Sequence, residues 1–172
     1  MAEGHTRRRP TSEEAGFMLY IGIVLIILIL DLGIKDTIEE TDSTSFPKDL
    51  EGTNGKIVLH KSHNDGFAMG LFRSKPEMVK MVPLMVVSAV GGIFAWLYPK
   101  KGQHVDKLAI AMVLGGALSN VYDRLYRGYV VDYFSIQWKK LKKVVFNLGD
   151  IFIFLGAGLL LVAEIVRDFR EK

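Results

Sequence analysis

Four long apolar runs set the first limit on what this chain can fold into. They are Ala15–Leu30, continuing through Asp31 to Ile34, then Met78–Tyr98, Leu108–Tyr122 and Leu148–Val166. A helix rises about 1.5 Å per residue, so about 20 residues cross the hydrocarbon core of a bilayer. The first, second and fourth runs reach that length with modest flanks. The third reaches it only if Asp123 to Arg127 lie near the interface. Small residues that allow close helix contact in lipid recur, notably Gly115, Gly116 and Ala117 in the third run and Gly156, Ala157 and Gly158 in the fourth. These features predict an all-α membrane protein with four spans, at about 15–35, 77–98, 106–127 and 147–167.

The remaining composition agrees. The chain of 172 residues is 49% hydrophobic and has no cysteine, which excludes a disulfide framework, a thiolate metal site and a catalytic thiol. Its net charge of +3 is small, and its basic residues sit in islands between apolar runs. That favours a membrane surface over nucleic acid as their partner. The first run follows "TRRRP" but has no small-residue cleavage site after it, and "DLGIKDTIEE" follows instead. It reads as an anchor rather than a cleaved signal peptide.

Basic residues also set the expected orientation. Arg7–Arg9 precede span one, Lys100, Lys101 and Lys107 join spans two and three, and Arg167, Arg170 and Lys172 follow or end span four. If every run crosses, all three groups share one side, and both termini are cytoplasmic. The polar residues 1–14 form a tail on that side. Residues 36–75 hold no spanning run; "TNG" before "KIVLH" and the Asn-Asp-Gly at 64–66 suggest turns and a short strand, hence a small β-rich outer element. "QWKKLKK" would place four lysines outside, so residues 133–145 read as an amphipathic interfacial segment.

With that parity, the unusual polar residues meet at one membrane face: Asp31 and Lys35, Asn120, Asp123 and Arg124, Asp132, Asn147 and Asp150, and the turn at Asn64. Ionisable groups at membrane depth are costly and face a bundle interior or polar cavity. Asp31 has Lys35 four residues on, and Asp123 has Arg127 four residues on, spacings that suit helical ion pairs as well as chemistry. Asp150 has no cation within four residues. If Asp132 and Asp150 approach, their repulsion makes the pair hold one proton, and such a dyad can activate water while polarising a carbonyl. The alternative is that both cap helix ends or pair with Arg124. Other chemistries are weaker: His60 and His63 read as a solvated loop pair rather than metal ligands, no serine has a G-x-S-x-G context, and the glycines form no phosphate loop.

At these residues the sequence resembles lipoprotein signal peptidase (signal peptidase II), a family of bacterial membrane aspartyl proteases. "DLGIK" resembles the family's D-x-x-x-K, "NDGFAMGLF" its N-x-G-x-A-F-G loop, "GGALSNVYDRLYRGYVVDYF" its G-G-A-x-G-N-x-x-D-R-x-x-x-G-x-V-V-D-F, and "FNLGDIFI" its F-N-x-A-D-x-x-I. The resemblance implies that Asp132 and Asp150 are catalytic. It implies that Asn64, Gly66, Asn120, Arg124 and Asn147 line the site, and that Asp31, Lys35 and Asp123 support it. It further implies a β-rich cradle, a short surface helix before span four, no metal or other cofactor, and a monomer in the bacterial plasma membrane with its site at the outer face. The implied substrate is a diacylglyceryl-modified prolipoprotein, cut before its lipidated cysteine. Ser119, Gly149, Met69 and Leu32 depart from the family's usual Gly, Ala, Phe and Gln, and none removes an ionisable site residue. Two other readings remain beside this one: a non-catalytic relative that binds lipidated chains, and a small transporter using the aspartates as proton sites. Retention of both Asp132 and Asp150 speaks against the first, and their gathering at one face against the second.

Overall fold

The computed structural model describes residues 12–67 and 72–171. Most of the polar N-terminal tail and Ala68–Leu71 of the "NDGFAMGLF" loop, including the departure at Met69, lie outside the described residues. Four helices dominate: α1 (Ser12–Glu40), α2 (Pro76–Leu97), α3 (His104–Tyr126) and α4 (Leu148–Glu171). All four are long and apolar enough to cross a membrane. Pro76 opens α2, where its missing N–H costs nothing.

The sequence that makes these helices also sorts them. α3 has the lowest hydropathy of the four, and it is the most buried. It runs through the middle of the bundle and packs on α1, α2 and α4. The other three turn large apolar side chains outward, such as Leu25, Ile26 and Ile29 on α1, Met85 and Val86 on α2, and Phe154 and Leu155 on α4. Surfaces of that kind suit hydrocarbon as solvent, because lipid tails impose no penalty on exposed Leu or Ile. The apolar core proper joins Tyr20 and Val24, Phe94 and Leu97, and Ile110, Ala111 and Leu114. Between α3 and α4 the backbones come so close that glycine is required. A Cβ on Gly116 would collide with the Gly149 carbonyl, and one on Gly149 would lie 2.8 Å from the Gly116 oxygen.

On one end of the bundle sits a three-stranded antiparallel sheet, ordered β1 (Lys48–Asp49), β2 (Ile57–Asn64), β3 (Val130–Ile136). The turn before β2 places Asn54 and Gly55 at positive φ, the conformation that Asn-Gly favours. β3 revises the sequence reading. Residues 133–136, expected within an interfacial segment, are strand, and only Lys139–Lys143 form a 3-10 turn. The β element is therefore assembled from two distant parts of the chain, with Asn64 paired opposite Val130 and Ser62 opposite Asp132. Alternation along β3 sends Val131 and Tyr133 to a small core with Ile38 at the end of α1, and Asp132 to the other face.

His60 and His63 are also placed differently from the loop expectation. Both lie in β2. His60 Nε2 is 2.8 Å from the Ser135 hydroxyl. His63 pairs with Glu39 at 2.7 Å and stacks on Tyr129. α1 continues to Glu40, past the expected span end, and so carries Glu39 up to meet the sheet.

Candidate active site

The site is built on elements that meet at one end of the bundle: the C-terminal part of α1, the last turns of α3, β3 with the end of β2, and the first turn of α4. Its base is a buried ionic knot. Lys35 is completely buried, and its ammonium lies 2.8 Å from Asp31 and 3.0 Å from Asp123, both also buried. It donates to the Ser119 hydroxyl at 3.0 Å and to Asn120 Oδ1 at 2.9 Å. Ser119 in turn donates to Asp31 at 2.6 Å. Asp31 also accepts the Tyr133 hydroxyl at 3.0 Å, and that hydroxyl accepts the Leu148 N–H. Asp123 accepts the Val131 N–H at 3.1 Å and the Arg127 guanidinium at 2.5 Å. A buried charge persists only when paired and hydrogen-bonded, and here every oxygen of both carboxylates has a donor.

The i,i+4 spacings read from the sequence are both present as ion pairs, Asp31 with Lys35 and Asp123 with Arg127. Spacing within one helix does not reveal that Lys35 bridges α1 to α3. Nor does it reveal Tyr133, which ties the knot to β3 and α4. The available signal is the alternation in "VVDYF", which puts a tyrosine on the face opposite Asp132. Arg127 additionally contacts Asp36.

Above this knot lie the two remaining aspartates. Asp132 accepts the Asn64 side-chain amide at 3.1 Å on one oxygen and the Asn147 amide at 2.9 Å on the other. Asp150 accepts the Asn120 amide at 2.8 Å and the Asn147 backbone N–H at 3.2 Å. Asn147 Oδ1 accepts the Asp150 N–H at 2.8 Å, which closes a reciprocal cap at the start of α4. Helix capping, the alternative weighed for Asp150, is thus present, and it fixes the carboxylate rather than occupying both oxygens. Neither Asp132 nor Asp150 forms an ion pair with Arg124 among the described residues. One residue, Asn147, contacts both aspartates, so α4 and β3 hold them side by side.

Arg124 completes the wall. It donates to the Asn120 carbonyl at 3.1 Å and to the Gly66 carbonyl at 3.2 Å, which draws in the loop after β2. Its ring neighbour is Phe67. Its Nε–H is buried and has no partner among the described residues. Gly66 is placed by its own N–H, which donates to Asn64 Oδ1 at 3.1 Å.

The electrostatics follow from this arrangement. The carboxylates of Asp31, Asp123, Asp132 and Asp150 share the site with the cations of Lys35, Arg124 and Arg127. Lys35 and Arg127 are committed to the knot, which leaves the upper pair underneutralised. Burial, and then the charge of Asp150, push the Asp132 carboxyl up to about 6. Burial, and then the charge of Asp31, push the Tyr133 phenol up as well, so it remains a neutral donor. One proton shared by Asp132 and Asp150 would balance the site, as expected for two interacting carboxylates.

The departures at positions 119 and 149 meet here. Asp31 Oδ2, which the Ser119 hydroxyl contacts, lies 2.9 Å from where a Cβ on Gly149 would be. Ser119 and Gly149 thus both contact Asp31 or the space beside it.

Comparison with known proteins agrees with this architecture. The family model for signal peptidase (SPase) II matches residues 23–166. A lipoprotein signal peptidase of Fusobacterium nucleatum is 30% identical over 155 residues, covering 90% of this chain and 91% of that protein. The Brucella ovis lipoprotein signal peptidase is 30% identical over 151 residues, with 87% and 91% covered. Two solved structures described as bacterial membrane enzymes share the fold, with TM-scores of 0.76 and 0.70 at 22% identity, covering 90% and 84% of this chain and 92% and 91% of theirs. With its four membrane-length helices and a family match running from residue 23 to residue 166, this chain belongs to the signal peptidase II family of multi-pass bacterial membrane proteases.

Proposed function

We propose that this protein is an aspartic endopeptidase that removes the signal peptide from diacylglyceryl-modified prolipoproteins, cutting before the lipidated cysteine. The observation that carries the reading is the placement of Asp132 and Asp150 against one asparagine, Asn147, with their counter-charges already engaged below. A pair of that kind works with one member ionised and the other protonated. The ionised member takes a proton from water as the water oxygen attacks the scissile carbonyl carbon. The protonated member donates to the carbonyl oxygen, giving a tetrahedral diol. Collapse returns one diol proton to a carboxylate, and the other carboxyl protonates the leaving nitrogen, so the enzyme ends as it began. Neither a covalent intermediate nor a nucleophilic Ser or Cys is needed.

Asn64, Asn120 and Asn147 hold the carboxylates in register, because each carboxylate oxygen involved accepts from a fixed amide. Arg124 brings an unused N–H into the same space. It is the group to donate to a substrate carbonyl and to stabilise the oxygen on which charge develops. Gly66 supplies the turn that lets the loop close against Arg124.

The positive-inside pattern supports an orientation with both termini cytoplasmic and the aspartates at the outer face. At that depth a substrate tethered by a diacylglyceryl group presents its cleavage point to the aspartates without leaving the bilayer. The test is to incubate purified protein in liposomes with a prolipoprotein bearing the diacylglyceryl cysteine, and with the same chain unmodified, and to follow both masses. Release of the signal peptide from the modified chain alone is expected. Equal cleavage of both would overturn the substrate assignment, and cleavage of neither would overturn the activity.

A further inference from the structure

The end of the bundle opposite the aspartates carries a cavity of about 480 Å³, lined by apolar surface and by lysine and histidine side chains, that peptide hydrolysis does not use. Its walls are Gly16 and Tyr20 on α1, Tyr98 and Lys101 on the α2–α3 connection, and His104 and Lys107 in the first turn of α3. Lys107 is only 6% exposed, and its ammonium donates to the Lys100 carbonyl while facing the Tyr98 ring. The Tyr20 hydroxyl is 3.0 Å from His104 Nδ1. None of the ion pairs among the described residues involves Lys100, Lys101 or Lys107. The one acid in that turn, Asp106, is committed to Arg167 on α4 at 2.6 and 3.2 Å. Gln103, before α3, offers no side-chain cap to the helix N–H groups.

A buried ammonium with no carboxylate partner among the described side chains, held beside a helix start without a side-chain cap, favours an anion. Next to the cavity Phe17 is exposed and lies edge-on to Tyr98 at 4.8 Å. We propose that this cavity binds the phosphodiester headgroup of an anionic glycerophospholipid, with Lys101, Lys107 and His104 around the phosphate and the acyl chains along Phe17. Basic pockets between helices at a membrane surface are suited to such headgroups. The site is independent of the peptidase reading. His104 and Asn120 stand at opposite ends of α3, separated by about 24 Å at 1.5 Å per residue.

The test uses the full chain in detergent, offered equal amounts of phosphatidylglycerol and phosphatidylcholine with identical acyl chains, and reads the retained lipid by native mass spectrometry. Wild type is expected to retain phosphatidylglycerol in excess. Lys101→Gln is expected to reduce that excess about fivefold, and Lys107→Met at least as much. If Lys107→Met does not fold, the exposed Lys101 variant decides alone. Equal retention of the two lipids by wild type, or an unchanged excess in Lys101→Gln, overturns the proposal. Displacement of phosphatidylglycerol by excess inorganic phosphate would overturn the lipid assignment in favour of the free anion. Signal-peptide release is expected to be unchanged in Lys101→Gln.

Discussion

Replacing Asp132 by asparagine removes a charge that the fold holds at a cost. A carboxyl ordinarily titrating at 3.8 is pushed up to about 6 at this position, chiefly by burial and then by Asp150. At 1.36 kcal/mol per tenfold change in affinity, that difference corresponds to about 3 kcal/mol. The sign follows from proton binding. Below the unfolded value Asp132 is protonated in both states and costs nothing. Between about pH 4 and 6 the folded protein binds the proton more tightly than the unfolded chain, so stability falls as pH rises. Above about 6 the full penalty remains. The substituted asparagine never ionises, but its NH₂ must face one of the two amide donors, of Asn64 or Asn147, which costs about 1 kcal/mol. Asp132→Asn is therefore expected to be about 2 kcal/mol more stable than wild type at pH 8, raising Tm by about 4–8 °C for a chain of this size. At pH 4 the advantage should vanish. Tryptophan fluorescence during heating in detergent at both pH values measures it. An equal or lower Tm for the variant at pH 8, or an offset that does not change with pH, would rule out a strained carboxylate at this position.

Three further perturbations address other parts of the site. Lys35→Met leaves Asp31 and Asp123 buried without their shared cation, and is expected to lower stability by about 3–5 kcal/mol in the same melting assay. Gly149→Ala forces a methyl against the Gly116 carbonyl and Asp31, a strain of about 1–3 kcal/mol; adding Ser119→Gly removes one of the hydrogen bonds that fix Asp31 and should recover part of it in a double-mutant comparison. Arg124→Gln is expected to lower kcat/KM by about 100-fold or more, measured on lipid-modified precursor. A melting curve of the same variant shows that the loss is read on folded protein.

Much of this arrangement is legible in the amino-acid sequence, for reasons specific to membranes. Spans announce themselves by length, and parity then assigns each polar residue to a face, so Asp31, Asn120, Asp123 and Asp150 gather at one end by counting alone. The pairs Asp31–Lys35 and Asp123–Arg127 are local and follow from helical spacing. The resemblance to signal peptidase II then separates Asp132 and Asp150 from the other acids. What stays hidden depends on contacts distant in sequence. β3 pairs with a strand nearly 70 residues earlier, and the lysine-rich segment that follows masks the strand character of residues 133–136. His63 reads as solvated because nothing local shows that α1 continues to Glu39. The sharing of Lys35 by two carboxylates on different helices requires the α1–α3 packing, and the Gly116–Gly149 contact requires that of α3 on α4.

Everything proposed for the reaction depends on Asp132 and Asp150 acting as one catalytic pair. The deciding experiment is single-turnover cleavage of diacylglyceryl-modified prolipoprotein by wild type, Asp132→Asn and Asp150→Asn, each in liposomes and each shown to be folded by its melting curve. Wild type should release the signal peptide, and both folded variants should release none on the same timescale. Cleavage by either variant at the wild-type rate would show that the two carboxylates are not the catalytic groups.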